Sequence, residues 1–302
     1  SIQHTLDKGE VLRTHLLRPT WHLVAAKDIC WMLELTAPHI RTRMKFRQRF
    51  LNLTDAILQK CNVIIESALL KDQFLTRDDL IKALNHSGIS TAKDNRSAHI
   101  FLYAELDGLI CSGPKMNGKP TYALLRNRAP KPPTVNRKEA LALLAIRYFS
   151  SHGPATLGDF VWWSGLPVSD ARAGIKMAGE SLTCGNIQSK NYWYSQKYIK
   201  DKRDEFSVHL LPAYDEFVIS YTDRSDLLTT AHHNKAISNN GIFKPLIIIH
   251  GEATGIWKRT IKKDNVIIET EFFRPHTKAE HNGIAEAADR YGKFLNKKME
   301  MK

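Results

Sequence analysis

Near the start of the chain, RTHLLRPTWHLV gathers Arg13, His15, Arg18, Thr20 and His22 into one short stretch. Guanidinium donors, a hydroxyl and imidazoles are the groups that grip phosphate oxygens and base edges. The same set also suits a strand–turn–helix junction with inward hydrogen-bonded histidines, and residue chemistry alone favours that plainer reading. Arg41, Arg43, Lys45, Arg47 and Arg49 follow. Such a run is usually a solvated face, yet cations so close together can also track phosphates. Farther on, Lys115 and Lys119 flank Asn117-Gly118, Arg172 and Lys176 share a helical face, and Lys190 sits between Ser189 and Asn191. Cys30, Cys61, Cys111 and Cys184 are far apart, with no CxxC pair and no His at zinc spacing. They read as buried, reduced thiols, and neither a metal nor a cofactor is expected.

The elements that must carry these groups are clearest from Gly153 to Tyr198. Thr156 and Asp159 have capping spacing for a short helix through Trp163. Ser164-Gly165-Leu166-Pro167 breaks it, and Ser169 is expected to cap the next helix. There Ala171, Ile175 and Ala178 share one face, Arg172 and Lys176 another. Leu182–Gln188 and Tyr192–Ile199 then predict a hairpin with Ser189-Lys190-Asn191 at its tip. With a preceding helix from Arg137 to Ser151, this is a winged helix, whose second helix commonly enters the major groove. It can equally serve as a packing module.

The same pattern occurs once before. Thr76-Arg77-Asp78-Asp79 starts a helix through Leu80, Ile81 and Leu84 that Gly88 stops. Ser97–Leu106 supplies the second helix, with His99 and Tyr103. Leu109–Ser112 and Thr121–Leu124 pair across a wing whose Asn117-Gly118 suits a tight turn and whose Lys115 and Lys119 can meet phosphate. A long amphipathic helix is predicted from about Phe50 to Leu70. Upstream, residues 2–12 predict a short helix, and another begins at Lys27 or Asp28 and ends before Pro38.

Past Lys200 the periodicity changes. Val208–Leu211, Phe217–Ile219, Leu246–Ile249, Gly255–Thr260 and Val266–Glu269 predict strands, with turns at 251–254 and 262–265. Lys278–Lys297 predicts a closing helix with a basic tail. The fold class is therefore α+β: tandem winged helix-turn-helix units, then a small β-rich, barrel-like part and a C-terminal helix. The expected boundaries are 1–128 (wing about 109–125), a Pro-rich linker at 129–136, the second winged unit at 137–199, and the β-rich part at 200–302.

Lys and Arg number 44 against 31 Asp and Glu, a formal charge of +13. That excess favours double-stranded DNA over an acidic protein as partner. No apolar run approaches a membrane span, no leader precedes the body, and a cytoplasmic monomer is expected. Ser1 stands where Met is expected and the chain opens mid-element, so a preceding segment is expected too.

Five stretches in chain order resemble one family: Arg13–Val24, GLICSGP at Gly108–Pro114, RYFSSHGPATLGDFVWWSGL at Arg147–Leu166, LLPAYDEFVISYTDR at Leu210–Arg224, and GIWKR at Gly255–Arg259. They are similar to the AlkZ-type winged-helix proteins, bacterial DNA glycosylases that remove alkylated purines and unhook interstrand crosslinks. The resemblance implies tandem winged helices around a basic concave DNA face. It implies a catalytic Gln–hydrophobic–Gln motif, or Gln–hydrophobic–Asp in a sister branch, upstream of Arg-Thr-His. Gln3, Gln48, Gln59, Gln73, Gln188 and Gln196 all lack Gln or Asp two residues on, so that motif is expected upstream of residue 1. Within the chain, Asp215 and Glu216 are the carboxylates to examine, at least one of them as a capped or salt-bridged turn. The resemblance also implies that His15, Arg18 and His22 face one cleft. It makes the hairpin with Trp257, Lys258 and Arg259 a probe of the duplex or an ordinary strand. The alternatives are a DNA-binding protein without catalysis, such as a regulator or damage-recognition homologue, and more weakly a protein-binding scaffold.

Overall fold

The computed structural model describes residues 2–130, 135–195 and 207–302. The expected linker therefore lies partly outside the described residues, as do the end of the second wing strand at Ile199 and the first residues of the β-rich part. Only the start of 2–12 is helical: α1 covers Ile2–Lys8, and Val11–Leu16 is strand β1, paired antiparallel with β2, Thr20–Ala25. Gly9 and the alternation of Leu12, Thr14 and Leu16, all buried, against half-buried Arg13 and His15 explain the switch.

Helix α2 runs from Ile29 to Phe50, through Pro38, contrary to the expected stop. Proline removes one backbone donor. Here Ala37 and Ile40 pack on Leu102 and Leu106, so tertiary burial on both sides of the proline holds the helix continuous. This also reassigns the arginine run. Arg41 pairs with Asp107 and lies over the Tyr103 ring, Arg43 donates to the Gly165 carbonyl at 2.9 Å, and Arg47 donates to the Asp94 carbonyl. Those three fasten α2 to its neighbours, leaving Lys45 and Arg49 exposed.

The first winged unit is α3 (Asp55–Lys71), β3 (Leu75–Thr76), α4 (Arg77–His86), α5 (Arg96–Leu106), β4 (Ile110–Ser112) and β5 (Thr121–Leu124), with sheet order β3-β5-β4. The Thr76–Asp79 capping box forms as its spacing requires. The wing turns through Asn117 and Gly118, both at positive φ. Helix α5, the element that would read a groove, is buried from Ile100 to Leu106 against β1 and α2.

After the short α6 (Leu125–Arg128), the second unit comprises α7 (Arg137–His152), α8 (Leu157–Ser164), α9 (Val168–Ala178), β6 (Thr183–Ile187) and β7 (Lys190–Tyr194). The Thr156–Asp159 capping box forms. Ser169 does not cap α9: Pro167 is the N-cap residue, and its fixed φ starts the helix two residues earlier. The hairpin turns at Gln188 and Ser189, so Lys190 opens a strand instead of sitting at the tip. The core of this unit is shared with β1 and the first half of α2, through Leu12, Leu16, Trp31, Leu144, Tyr148 and Phe160.

In the last third, β8 (Val208–Leu211), β9 (Leu246–Ile249), β10 (Glu252–Ile261) and β11 (Asn265–Phe272) form antiparallel neighbours. Phe217–Ile219, expected as a strand, belongs to a helical turn, α10 (Glu216–Ile219), which Asp215 caps. A second short turn, α11, covers His233–Ala236, and helix α12 spans Lys278–Leu295. The basic tail then adds β12 (Lys298–Met301) in parallel beside β11, giving the open order β12-β11-β10-β9-β8. Ile284, Ala287 and Ala288 of α12 cover one face of this half-barrel sheet, and Val218, Leu228 and Ile237 cover the other. Cys61 and Cys111 are buried, Cys30 is partly so, and Cys184, expected inside, is exposed on β6. Among the described residues no helix is long and apolar enough to cross a membrane.

Candidate active site and nucleic-acid interface

The hairpin β1–β2 lies between the two winged units. Strand β1 presents an outer edge whose N–H groups are satisfied by side chains of the first unit. The Arg13 amide donates to Ser112 Oγ at 2.9 Å, and the His15 amide donates to Glu105 Oε2 at 2.7 Å. The turn at Leu17 docks on Gly165, where an added Cβ would lie 2.3 Å from the Leu17 carbonyl oxygen.

Register places Arg13, His15, Trp21 and Leu23 on one face, and Thr14, Thr20 and His22 on the other. The two imidazoles therefore lie on opposite faces of the hairpin. On the first face the Arg13 guanidinium lies 4.2 Å from the Trp21 ring centroid, and His15 sits 5.5 Å from the same ring. Trp21 and Leu23 are exposed at 48% and 53%. Composition did not single them out, although their alternation with Thr20, His22 and Val24 marks an open strand face. On the other face His22 Nδ1 lies 3.0 Å from the Thr20 carbonyl, so it donates there and leaves Nε2 as an acceptor. Burial chiefly lowers the His22 pKa, and Arg18 and His15 push it the same way, which keeps the ring neutral at pH 7.

Asp215 and Glu216 separate into two roles. Asp215 caps α10, accepting from the Phe217 amide at 2.9 Å. Glu216 faces the second winged unit: His152 Nε2 is 3.5 Å from Oε2, Trp163 Nε1 donates to the same oxygen at 3.3 Å, and so does the Ser220 hydroxyl. These donors, His152 foremost, hold the Glu216 carboxyl down to about 2 despite partial burial. Its side chain is 53% exposed, and these bonds converge on Oε2. A carboxylate so held is ionised near neutrality and can stabilise positive charge, but it cannot donate a proton.

Helix α10 is fixed by its backbone. Trp162 Nε1 donates to the Ile219 carbonyl at 2.8 Å, Tyr148 to that of Ser220 at 3.2 Å, and Arg224 Nε to that of Val218 at 2.7 Å. Arg18 and Arg224 both approach the Trp162 ring, at 5.5 and 5.7 Å. Burial lowers the Arg18 pKa and Glu216 opposes that, so the hairpin turn and the Tyr-Asp-Glu stretch are electrostatic neighbours.

The remaining predicted cations are spread more widely. Lys115 and Lys119 are exposed on the first wing, and Arg172 and Lys176 project from the open face of α9. Lys190 is paired to Asp223 at 2.9 Å, and needs release before it can meet a phosphate. Trp257 is buried, donating to the Leu211 carbonyl at 2.8 Å, whereas Lys258 and Arg259 lie beyond it on the exposed half of β10. Among the described residues no cluster of His, Cys, Asp and Glu has metal-binding geometry.

Comparison with known proteins adds to this geometry. The solved structure of the Streptomyces sahachiroi DNA glycosylase AlkZ is similar over 100% of this chain and 84% of that one, with a TM-score of 0.79 and 17% identity, a likeness of fold. No curated protein matches the chain. The family model described as DNA glycosylase AlkZ-like matches residues 2–294, and the chain belongs to that family.

Proposed function

We propose that this chain is a DNA-repair protein that hydrolyses the N-glycosidic bond of an alkylated or crosslinked purine in double-stranded DNA. The observation that carries this reading is the approach of the Arg-Thr-His hairpin to the turn that holds Glu216: Arg18 lies 5.5 Å from the Trp162 ring, and Trp162 donates to the Ile219 carbonyl of α10. A purine alkylated at N7 or N3 already bears positive charge and leaves as a neutral base, so strong general-acid help is not required. What the protein must supply is a positioned water and an anion facing the sugar cation that develops at C1′. Glu216 suits the second task. Arg13, His15, Arg18, Thr20 and His22 would hold the strand around the lesion. Lys115 and Lys119 of the first wing, Arg172 and Lys176 of α9, Lys190, and Lys258 and Arg259 of β10 would hold the flanking phosphates. With α5 buried, α9 is the helix free to enter a groove.

The alternative is a DNA-binding protein without catalysis, and none of the chain's glutamines precedes Gln or Asp at the spacing of the family's catalytic motif. The two are separated by single-turnover base release from duplex DNA containing one N7-methylguanine, using the unmutated protein and Glu216→Gln. The enzyme reading predicts release that slows about 10²-fold in the variant, the scale of losing one charge stabiliser, with duplex affinity retained. Binding without release by the unmutated protein supports the alternative.

A further inference from the structure

Four buried carboxylates stand out among the described residues, and three are conventionally satisfied. Asp28 pairs with Arg147, Asp159 closes the α8 capping box, and Glu280 pairs with Arg274. Glu105 differs. It is 0% exposed on α5, and among the described residues its carboxylate meets the side chain of His15 while Oε1 has no hydrogen bond. Burying such a carboxylate costs stability, so an apolar residue would serve α5 better if packing were its only task.

Oε2 accepts from the His15 amide at 2.7 Å and meets His15 Nδ1 at 2.5 Å. A carboxylate oxygen accepts both bonds when Nδ1 carries the hydrogen, and in that tautomer of the neutral imidazole Nε2 carries a lone pair. The ring retains 16% exposure on the hairpin face shared with Arg13 and Trp21.

Resting on the function proposed above, we propose that Glu105 and His15 form a dyad in which Glu105 is the positioning residue and His15 Nε2 takes the proton of the attacking water. In this step the water oxygen bonds to C1′ and the C1′–N bond breaks, its electron pair neutralising the cationic purine. The water proton passes to Nε2, and Glu105 steadies the resulting imidazolium until it releases the proton to solvent.

Two substitutions test this in the full chain. His15→Asn keeps a donor where Nδ1 stands and removes Nε2. Glu105→Gln keeps an oxygen able to accept both bonds and removes the charge. Single-turnover release from the N7-methylguanine duplex is measured beside the dissociation constant for that duplex and thermal unfolding. The dyad predicts release slowed about 10²-fold or more by His15→Asn and more than about tenfold by Glu105→Gln, with unfolding temperature held and the loss of rate far exceeding any loss of affinity. Release at the unmutated rate by His15→Asn overturns it. So does a fall in rate matched by affinity or unfolding temperature, which marks a merely structural pair. Failure of the underlying reading looks different: the unmutated protein itself releases no base, and the dyad falls with it.

Discussion

Gly165 joins the second winged unit to the hairpin turn, and Gly165→Ala measures how much that joint matters. The residue sits at φ +70°, its carbonyl accepts from Arg43 at 2.9 Å, and an added Cβ would stand 2.3 Å from the Leu17 carbonyl oxygen. No carbon can stay there, and the obstacle is backbone. Gly118 in the first wing is the control, with φ +76° and no atom within 4 Å of an added Cβ. Both substitutions carry the left-handed penalty of about 1–2 kcal/mol. Gly165→Ala adds the displacement of Leu17, about 1–3 kcal/mol on the scale of overpacked sites. Thermal unfolding by circular dichroism should therefore fall about twice as far for Gly165→Ala as for Gly118→Ala. Because Leu17 precedes Arg18, DNA affinity should fall with Gly165→Ala as well. Equal losses of stability would refute the close docking of the turn.

Charge reversal at Arg13 and Arg18 should weaken duplex binding more than reversal at Lys297 and Lys298, in fluorescence titrations at several salt concentrations. Equal losses would indicate diffuse electrostatics in place of a site at the hairpin. Glu280 is held down to about 2, chiefly by Arg274 and then by the Thr277 amide at the start of α12. A depressed folded value stabilises the protein above the ordinary carboxylate pKa of 4.5, and that contribution is lost as pH falls toward 2. Glu280→Gln should flatten unfolding stability against pH within that acid window and leave its slope above pH 5 unchanged.

Much of this architecture was legible because local chemistry and packing agreed. Thr76–Asp79 and Thr156–Asp159 announce helix starts with both members of a capping box, and Asn117-Gly118 supplies the positive φ its turn needs. Expectations failed where distant contacts outweighed local preference. Pro38 should stop α2, but Leu102 and Leu106 lie far along the chain and their burial is invisible to a local pattern. Phe217–Ile219 reads as a strand by residue type, yet Asp215 caps it and Trp162 and Arg224 take its carbonyls. Lys298–Met301 reads as a basic tail because its pairing partner, β11, is set by the return of α12.

The candidate site divides the same way. The cations and histidines of the hairpin stand out by type, and Glu216 by its place in the Tyr-Asp-Glu stretch. Their sorting onto opposite faces follows from a register only the folded hairpin fixes. Glu105 gives no signal, since a single acid in an otherwise helical sequence reads as a solvent-facing residue until its burial is known. His152 likewise becomes a partner of Glu216 only once α7 and α10 meet, whereas Ser220, four residues along, needs only the turn of α10 itself.

The account turns most directly on base release from duplex DNA carrying a single N7-methylguanine, beside the identical undamaged duplex. Abasic sites should form at the lesion well above the spontaneous rate, with the undamaged duplex untouched. Release no faster than the protein-free background, with the duplex fully bound, would contradict the glycosylase reading and leave a protein that only binds DNA.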